Sequence, residues 1–298
     1  MILLSIGYSH SKLGEKNVFH INLAIDWTEP GLHGDYFVFN TGEITPFFSQ
    51  KMKIPISQTI GKEEQIVGEW NVTKRLLNSF STKEITYFQK PDREKFQFSL
   101  PEDPRTGETL AGTNGSDESE WQKLEMVHEG TVANLAFSTN QFYKPEDLLT
   151  KLEEYDLDVD WMPLYAGELK EFDTGWSSAS PGGYLSVDTI GLTRAIQMEA
   201  DFRGSTEYML NSQSIDETKR LMLENMKYLI DNESKKYREF VLGLLNLEER
   251  YSYLKENGFV VYGAVVTGPV KELLKLKEEQ GLRNIQVGEF EYWNWTTD

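Results

Sequence analysis

Residues 259–276 read FVVYGAVVTGPVKELLKL. The first nine are nearly all apolar, rich in valine and without alternation. That is the pattern of a strand covered on both faces rather than one. Gly268-Pro269 then ends the strand and opens a helix, because a first-turn proline loses only an N–H that has no helical partner anyway. Val270, Leu273 and Leu274 fall on one side of that helix. Gly281 closes it, and residues 285–290 (IQVGEF) form a further strand. The same grammar occurs earlier. TVANLAFS at 131–138 reads as a strand, and Pro145 starts a helix with Leu148, Leu149, Leu152 and Tyr155 at helical spacing. Residues 159–166 are again a strand. Each strand–proline-helix–strand unit can make a right-handed crossover. Two in one sheet predict a ferredoxin-like α+β layer with helices on one face. The two units match in pattern and not in residues, so the internal repeat is weak.

Working outward, residues 167–213 are loop-rich, with SSASPGG at 177–183 and a strand at 195–202. Ser214-Ile-Asp-Glu217 has the form of a capping box ahead of a helix carrying Met222, Met226, Leu229 and Ile230. A second helix carries Tyr237, Phe240, Val241, Leu244, Leu245, Tyr251 and Leu254 in one stripe, with Gly258 suited to a left-handed cap. Toward the N-terminus, residues 18–100 read mostly as strands. Phe19, Ile21, Leu23 and Ile25 alternate with other residues, and short β-prone runs follow at 36–39, 54–60, 66–72, 85–88 and 96–100. Pro55 demotes its run to an edge or bulged strand, and residues 74–80 are read as a helical turn or two. Residues 101–120, PEDPRTGETLAGTNGSDESE, have too few apolar groups to bury and predict an exposed acidic linker. The expected fold class is therefore α+β: a β-rich N-terminal part over 1–100, the linker over 101–120, and an α/β sandwich with two βαβ-like units over 121–298.

Composition narrows function by exclusion. The chain has 298 residues, 39% of them hydrophobic, and a formal net charge of −18. It holds enough apolar matter for a core. Its acidity repels phosphate backbones and anionic lipid, so neither nucleic acid nor a membrane surface is an expected partner. It has no cysteine, which removes disulfides, thiol nucleophiles and every cysteine-ligated metal. His10, His20, His33 and His128 lack the spacing of a helical metal pair. No metal or cofactor is expected. The apolar residues 1–8 (MILLSIGY) are too few to cross a bilayer. They read either as a first strand or as the outer end of a longer membrane helix.

Candidate sites are sparse. Asp156, Asp158 and Asp160 line one side of an extended chain. An EF-hand would need Gly and Glu where Trp161 and Gly167 stand, so charges guarding an exposed sheet edge are the better account. Trp176 and Tyr184 flank the Ser-rich loop, and Trp293 and Trp295 end the chain. These four aromatics are the candidate ligand contacts. The plainer alternatives are a surface loop pinned by its aromatics and a terminal strand stapled to the body. No catalytic residue is singled out: no Gly-x-Ser-x-Gly elbow is present, and Gly268-Pro269 lacks the glycines and lysine of a phosphate loop.

The second half resembles the C-terminal domain of bacterial sigma-factor regulators, a membrane-anchored anti-sigma-like family. The resemblance is carried by GTVANLAFSTNQFYKPEDLLTKL at 130–152, VDWMPLYAG at 159–167, VVYGAVVTGPVKELLKL at 260–276 and the closing VGEFEYWNW at 287–295. It implies a non-enzymatic regulator of an extracytoplasmic-function sigma factor. In that plan this chain is the extracytoplasmic, sensing portion at the outer face of a Gram-positive cell membrane, and residues 1–100 are its membrane-proximal part. The sigma factor would be a partner only through an upstream cytoplasmic segment, and the membrane only through an upstream helix. The external ligand is left unknown. The alternative is a free-standing cell-surface module for glycan or peptide, and an enzyme of unrecognised type is the third reading.

Overall fold

The computed structural model describes residues 12–36, 43–44, 49–75, 81–89, 95–112, 117–128, 130–179, 183–199 and 204–295. The expectations for residues 1–8, for most of 36–39 and for 76–80 lie outside them.

The first element is a helix, α1 (Leu13–Thr28), where alternation had suggested a strand. The reason for the difference is burial on every side. His20, Asn22 and Asp26, which fell on the polar side of that alternation, are as buried as Ile21 and Ile25. Each has a hydrogen-bond partner: His20 pairs with Glu233, Asn22 donates to the Asp35 carbonyl, and Asp26 accepts from the Gly34 N–H. A helix covered all round has no apolar stripe for periodicity to detect. Five strands follow: β1 (His33–Gly34), β2 (Glu43–Ile44), β3 (Ser49–Ile60), β4 (Glu63–Arg75) and β5 (Thr82–Tyr87). They make one antiparallel sheet in which β3 pairs with β4 on one side and with β1 and β2 on the other. Pro55 falls in the interval of β3 between those two short partners, next to a register shift at Ile56 and Ser57. Its missing N–H costs no ladder bond there. Met52, Ile54, Ile56, Trp70 and Val72 turn inward against α1.

Helix α2 (Asp117–Glu125) leads into β6 (Thr131–Tyr143), α3 (Pro145–Leu152) and β7 (Asp158–Pro163). A hairpin of β8 (Trp176–Ala179) and β9 (Tyr184–Val187) follows, then β10 (Gly191–Thr193) and a second hairpin of β11 (Ala195–Met198) and β12 (Ser205–Tyr208). Next come α4 (Ile215–Asn232), the short α5 (Lys235–Tyr237) running into a π turn, and α6 (Leu247–Asn257). The chain closes with β13 (Val261–Pro269), α7 (Val270–Lys275) and β14 (Leu282–Tyr292). The second sheet runs β10-β7-β13-β6-β14, every neighbour antiparallel. Each proline-started helix carries the chain from one strand to the next but one, and a strand of the other unit fills the gap. This is the ferredoxin-like interleaving expected from the two units, extended by β10.

Val261, Ala264 and Val266 of β13 face α3, α7 and α1 in the main core. Tyr262 and Val265 face a second core built from Phe96, Phe98, Leu100 and the β8–β9 hairpin. Every residue of β13 is buried, as a doubly covered strand requires.

Three expectations are corrected. Residues 96–100 are not a strand: Phe96, Phe98 and Leu100 do alternate inward, but side chains satisfy part of the backbone, the Gln97 N–H donating to Gln286 and the Ser99 N–H to Ser138. The single stripe from Tyr237 to Leu254 is broken at Gly243 and Asn246, both at positive φ, which leaves Phe240 exposed. The capping box does not form. The Ser214 hydroxyl turns back to the Met209 carbonyl and Asn211 Oδ1.

Candidate functional site

The β3–β4 turn is fastened to the second sheet. The Gly61 N–H donates to Thr267 Oγ1 at 2.6 Å, the Lys62 N–H donates to Asn294 Oδ1, and Asn294 Nδ2 donates to the Ile60 carbonyl. Gly61 has φ +66°, and a Cβ there would stand 1.9 Å from Asn294 Oδ1, so only glycine fits. Beside this junction the two sheets part, leaving a cleft of about 360 Å³. One wall is β4 and the end of β5, with Ile66, Val67, Tyr87 and Phe88. The other is β14 at residues 288–291. The turn Glu29-Pro30 and Leu32 form the inner end with Phe96. Ile66 and Phe88 are 58% and 59% exposed at the lip. The lining mixes these apolar side chains with Gln58, Gln65, Gln89 and charged groups, and a volume in this range is typical of a ligand site.

The charges are unevenly placed. Lys95 is paired with Glu29 at 3.4 Å and also donates to the Thr28 carbonyl. The remaining carboxylates of the lining are Glu289 and Glu291, both on the β14 wall.

Immediately behind the inner end lies a buried polar cluster. Gly31, at φ +74°, packs against Val265 and Asp160, and the next strand brings in His33. His33 Nε2 is 2.5 Å from Asp160 Oδ1, and its Nδ1 is 3.7 Å from Asp26 Oδ1. Asp26 also accepts from the Gly34 N–H and the Tyr36 hydroxyl, both at 2.8 Å. Arg194 donates to the Gly34 carbonyl and to Glu207. Burial pushes the imidazole's pKa down, but the charge and hydrogen bond of Asp160, with Asp26 behind, outweigh burial and Arg194 and raise it to about 9. Burial and the adjoining Asp26 raise the Tyr36 phenol well above its usual value. His33 is thus an imidazolium at neutral pH, clamping α1, β1 and β7 together. A second cluster ties the other end of α1. His20 Nδ1 lies 2.6 Å from Glu233 Oε1, Lys74 joins the same carboxylate, and Lys74 also donates to Asn17. There burial wins, and the His20 pKa is lowered despite Glu233.

The four aromatics singled out from sequence fall into separate places. Trp176 and Tyr184 stand at opposite ends of the two paired strands of the β8–β9 hairpin. Trp176 is 53% exposed beneath Arg105, and the Tyr184 hydroxyl donates to Gln97. Trp293 is partly exposed, with its N–H donating to the Gly130 carbonyl. Trp295 is buried against Ile60 and Val132 and donates from Nε1 to Asp156 Oδ2 at 2.9 Å. None of the four lines the cleft. The three aspartates do not act as a set: Asp156 holds Trp295, Asp158 pairs with Lys62, and Asp160 holds His33. Nor is β7 an edge strand, because β10 and β13 flank it. Sequence reasoning missed the cleft, whose lining comes from six separated segments. The exposed Ile66 in a strand was the signal nearest to it.

The sequence model for the family described as sigma factor regulator C-terminal matches residues 124–289. The chain belongs to this family. The match runs from the end of α2 into the last strand and so takes in the ferredoxin-like layer, with its insertion, up to residue 289 of β14. Over 248 residues, 83% of its length, the chain is 23% identical to the probable anti-sigma-M factor YhdL of Bacillus subtilis strain 168. It spans 62% of that relative's length. No solved structure matches. Among the described residues no helix is long and apolar enough to cross a membrane.

Proposed function

We propose that this sigma-factor regulator chain is the extracytoplasmic sensing portion of a membrane-anchored protein that controls an extracytoplasmic-function sigma factor, and that it acts by binding rather than by catalysis. The observation that carries the reading is the similarity to an anti-sigma factor whose length this chain only partly spans. The sigma-binding segment and the membrane helix are then assigned to the portion of such a protein that this chain does not match. Two features support a binding role. The ionisable groups with perturbed pKa values around α1 are engaged with one another. The cleft, by contrast, combines apolar side chains such as Ile66 and Phe88 with glutamines and carboxylates.

The absence of cysteine makes the topology directly testable. Ser177→Cys, in the exposed β8 strand, introduces a single thiol into this part of the protein. In intact cells expressing the natural full-length protein, a membrane-impermeant maleimide should label that thiol without lysis. Labelling only after lysis refutes the extracytoplasmic assignment. A pull-down with the cognate sigma factor tests the division of labour: the full-length protein should bind, and this chain alone should not. Sub-micromolar binding by this chain alone overturns it.

A further inference from the structure

We propose that His20 makes the amino end of α1 an acid-released latch: the neutral imidazole fits the buried cluster that holds the helix there, and an imidazolium does not. The cluster joins three other elements to the helix. His20 Nδ1 lies 2.6 Å from Glu233 Oε1, at the junction of α4 and α5. Lys74, near the end of β4, donates to the same oxygen and to Asn17 Oδ1, the latter at 2.7 Å. The Tyr228 ring of α4 meets the imidazole edge-on, with 5.4 Å between centroids. Lys74 Nζ also sits 4.3 Å over the Tyr237 ring of α5. Lys16, one turn before His20 on α1 itself, adds a further positive charge. The α4–α5 junction is held in place by Arg238, which donates to the Ile230 and Glu233 carbonyls.

Two features oppose a second proton on this ring. The first is the balance of charge. Glu233 already faces the Lys74 ammonium, and with a neutral imidazole that pair sums to zero. Protonation sets a second cation on the same oxygen, where the His20 and Glu233 side chains are only 3% and 6% exposed, so the excess charge is held out of water. The second is a missing acceptor. His20 Nε2 is buried and, among the described residues, has no hydrogen-bond partner. With the proton on Nδ1, the tautomer that a facing carboxylate selects, Nε2 is a bare lone pair; protonation turns it into a charged N–H donor with nothing to bond. Burial accordingly outweighs the pull of Glu233, and Lys74 and Lys16 push the same way. Glu233 does not take the proton first: burial opposes its charge, but its bonds to His20 and Lys74 hold it below the usual carboxylate range. His33 behaves oppositely. Its pKa is raised to about 9, so below pH 6.5 it is protonated folded or unfolded and gives no slope there. Of the two histidine contacts, acid therefore loosens the one at the amino end. When that end opens, His20 meets water and regains its ordinary value of 6.5. The open form is then favoured by up to about tenfold for each unit of pH below 6.5, until the folded imidazole titrates too.

The latch belongs to the folded chain itself and stands whether or not the extracytoplasmic reading does. An NMR titration of the imidazoles in the whole chain is the direct test. His20 should carry its proton on Nδ1 at pH 7.5 and titrate with a midpoint below 6.5; a midpoint at or above 6.5 overturns the latch. Hydrogen–deuterium exchange at pH 7.5 and 5.5, corrected for intrinsic rates, locates the opening. Between those conditions the amides of residues 17–24 should lose up to about tenfold in protection relative to those of β13. The loss should vanish in His20→Gln. It should shrink in Lys74→Met, which leaves Glu233 to the imidazolium alone. Lys74→Met keeps the histidine, so the proposal remains open to refutation even where His20→Gln fails to fold. No acid loss in the wild type, an equal loss in either variant, or an equal loss over β13 refutes it.

Discussion

His33→Gln is the substitution that most directly interrogates the buried clamp. The wild-type imidazole sits between Asp160 and Asp26, with Arg194, Tyr36 and Glu207 in the surrounding shell. Its pKa rises from 6.5 to about 9 on folding. A rise of that size corresponds to about 3 kcal/mol of folding free energy, at ~1.4 kcal/mol for each tenfold change in proton affinity. The sign follows from which state holds the proton. Below pH 6.5 both states are protonated, and the full stabilisation is present. As pH climbs toward 9 the unfolded chain releases the proton first, so the contribution declines, and above the folded pKa it is gone. Glutamine does not titrate. The wild-type advantage over His33→Gln should therefore be largest near pH 6 and shrink by about 3 kcal/mol by pH 9.5. Urea denaturation followed by tryptophan fluorescence at half-unit pH intervals measures it. His20, whose pKa shifts the opposite way, is common to both proteins and cancels in the difference. Adding Asp160→Asn to both proteins should remove most of the pH dependence. A wild-type advantage that is constant between pH 6 and 9.5, or that grows with pH, refutes the clamp, because it would mean a neutral buried histidine.

Three further outcomes follow from packing. Val265→Asp places a carboxylate in the second core beside Phe96, Phe98 and Trp161, and should destabilise by roughly 3–5 kcal/mol, measured by urea denaturation; a change under ~1 kcal/mol would misplace that strand. Gly191→Ala sets a Cβ 1.8 Å from the Trp161 indole, which is fully buried and donates to the Asp26 carbonyl, so a thermal melt should show a loss of several degrees. Glu168→Gln leaves the Arg250 guanidinium buried without its charge partner and should cost roughly 3–5 kcal/mol. Adding Arg250→Met to Glu168→Gln should recover part of that loss in the same denaturation assay.

The parts of the fold that sequence revealed are those where chemistry and periodicity act within one segment. Pro145 and Pro269 mark helix starts because a ring and a missing N–H are tolerated there and rarely elsewhere. The unbroken apolar run in β13 was legible because two covered faces leave no reason for a polar residue. Helix α1 was illegible for the same physical cause taken further. With every side covered, its polar residues are selected by individual partners such as Glu233 and the Asp35 carbonyl, and partners from distant segments leave no local period. The capping box failed because Asn211 Oδ1, just upstream, accepts from the Ser214 N–H that Glu217 would have taken, and Glu217 pairs with Arg220 instead. His33 illustrates the limit most sharply. Considered as a metal ligand it had no neighbour in sequence, yet its partner Asp160 lies 127 residues away and one hydrogen bond distant.

The cleft and the clamp share a single turn, and that sharing constrains how an event in one reaches the other. Pro30 and Leu32 face the cleft, while Gly31 between them packs on Val265 and Asp160, and His33 follows directly. The turn is short and closed by the Leu32 N–H on the Glu29 carbonyl, and Glu29 itself is bonded back to Ile25 of α1. It has little slack to absorb a displacement of Leu32. Densely packed cores do not deform gradually, so a shift there is passed to the His33–Asp160 contact, to α1, or to both. The helix is the stiffer route. Its carboxyl end is fixed by Asp26 and its amino end by the His20–Glu233–Lys74 cluster, so it moves as a body or not at all. A ligand in the cleft would be felt at α1 only if it bound two positions of this turn with different affinity.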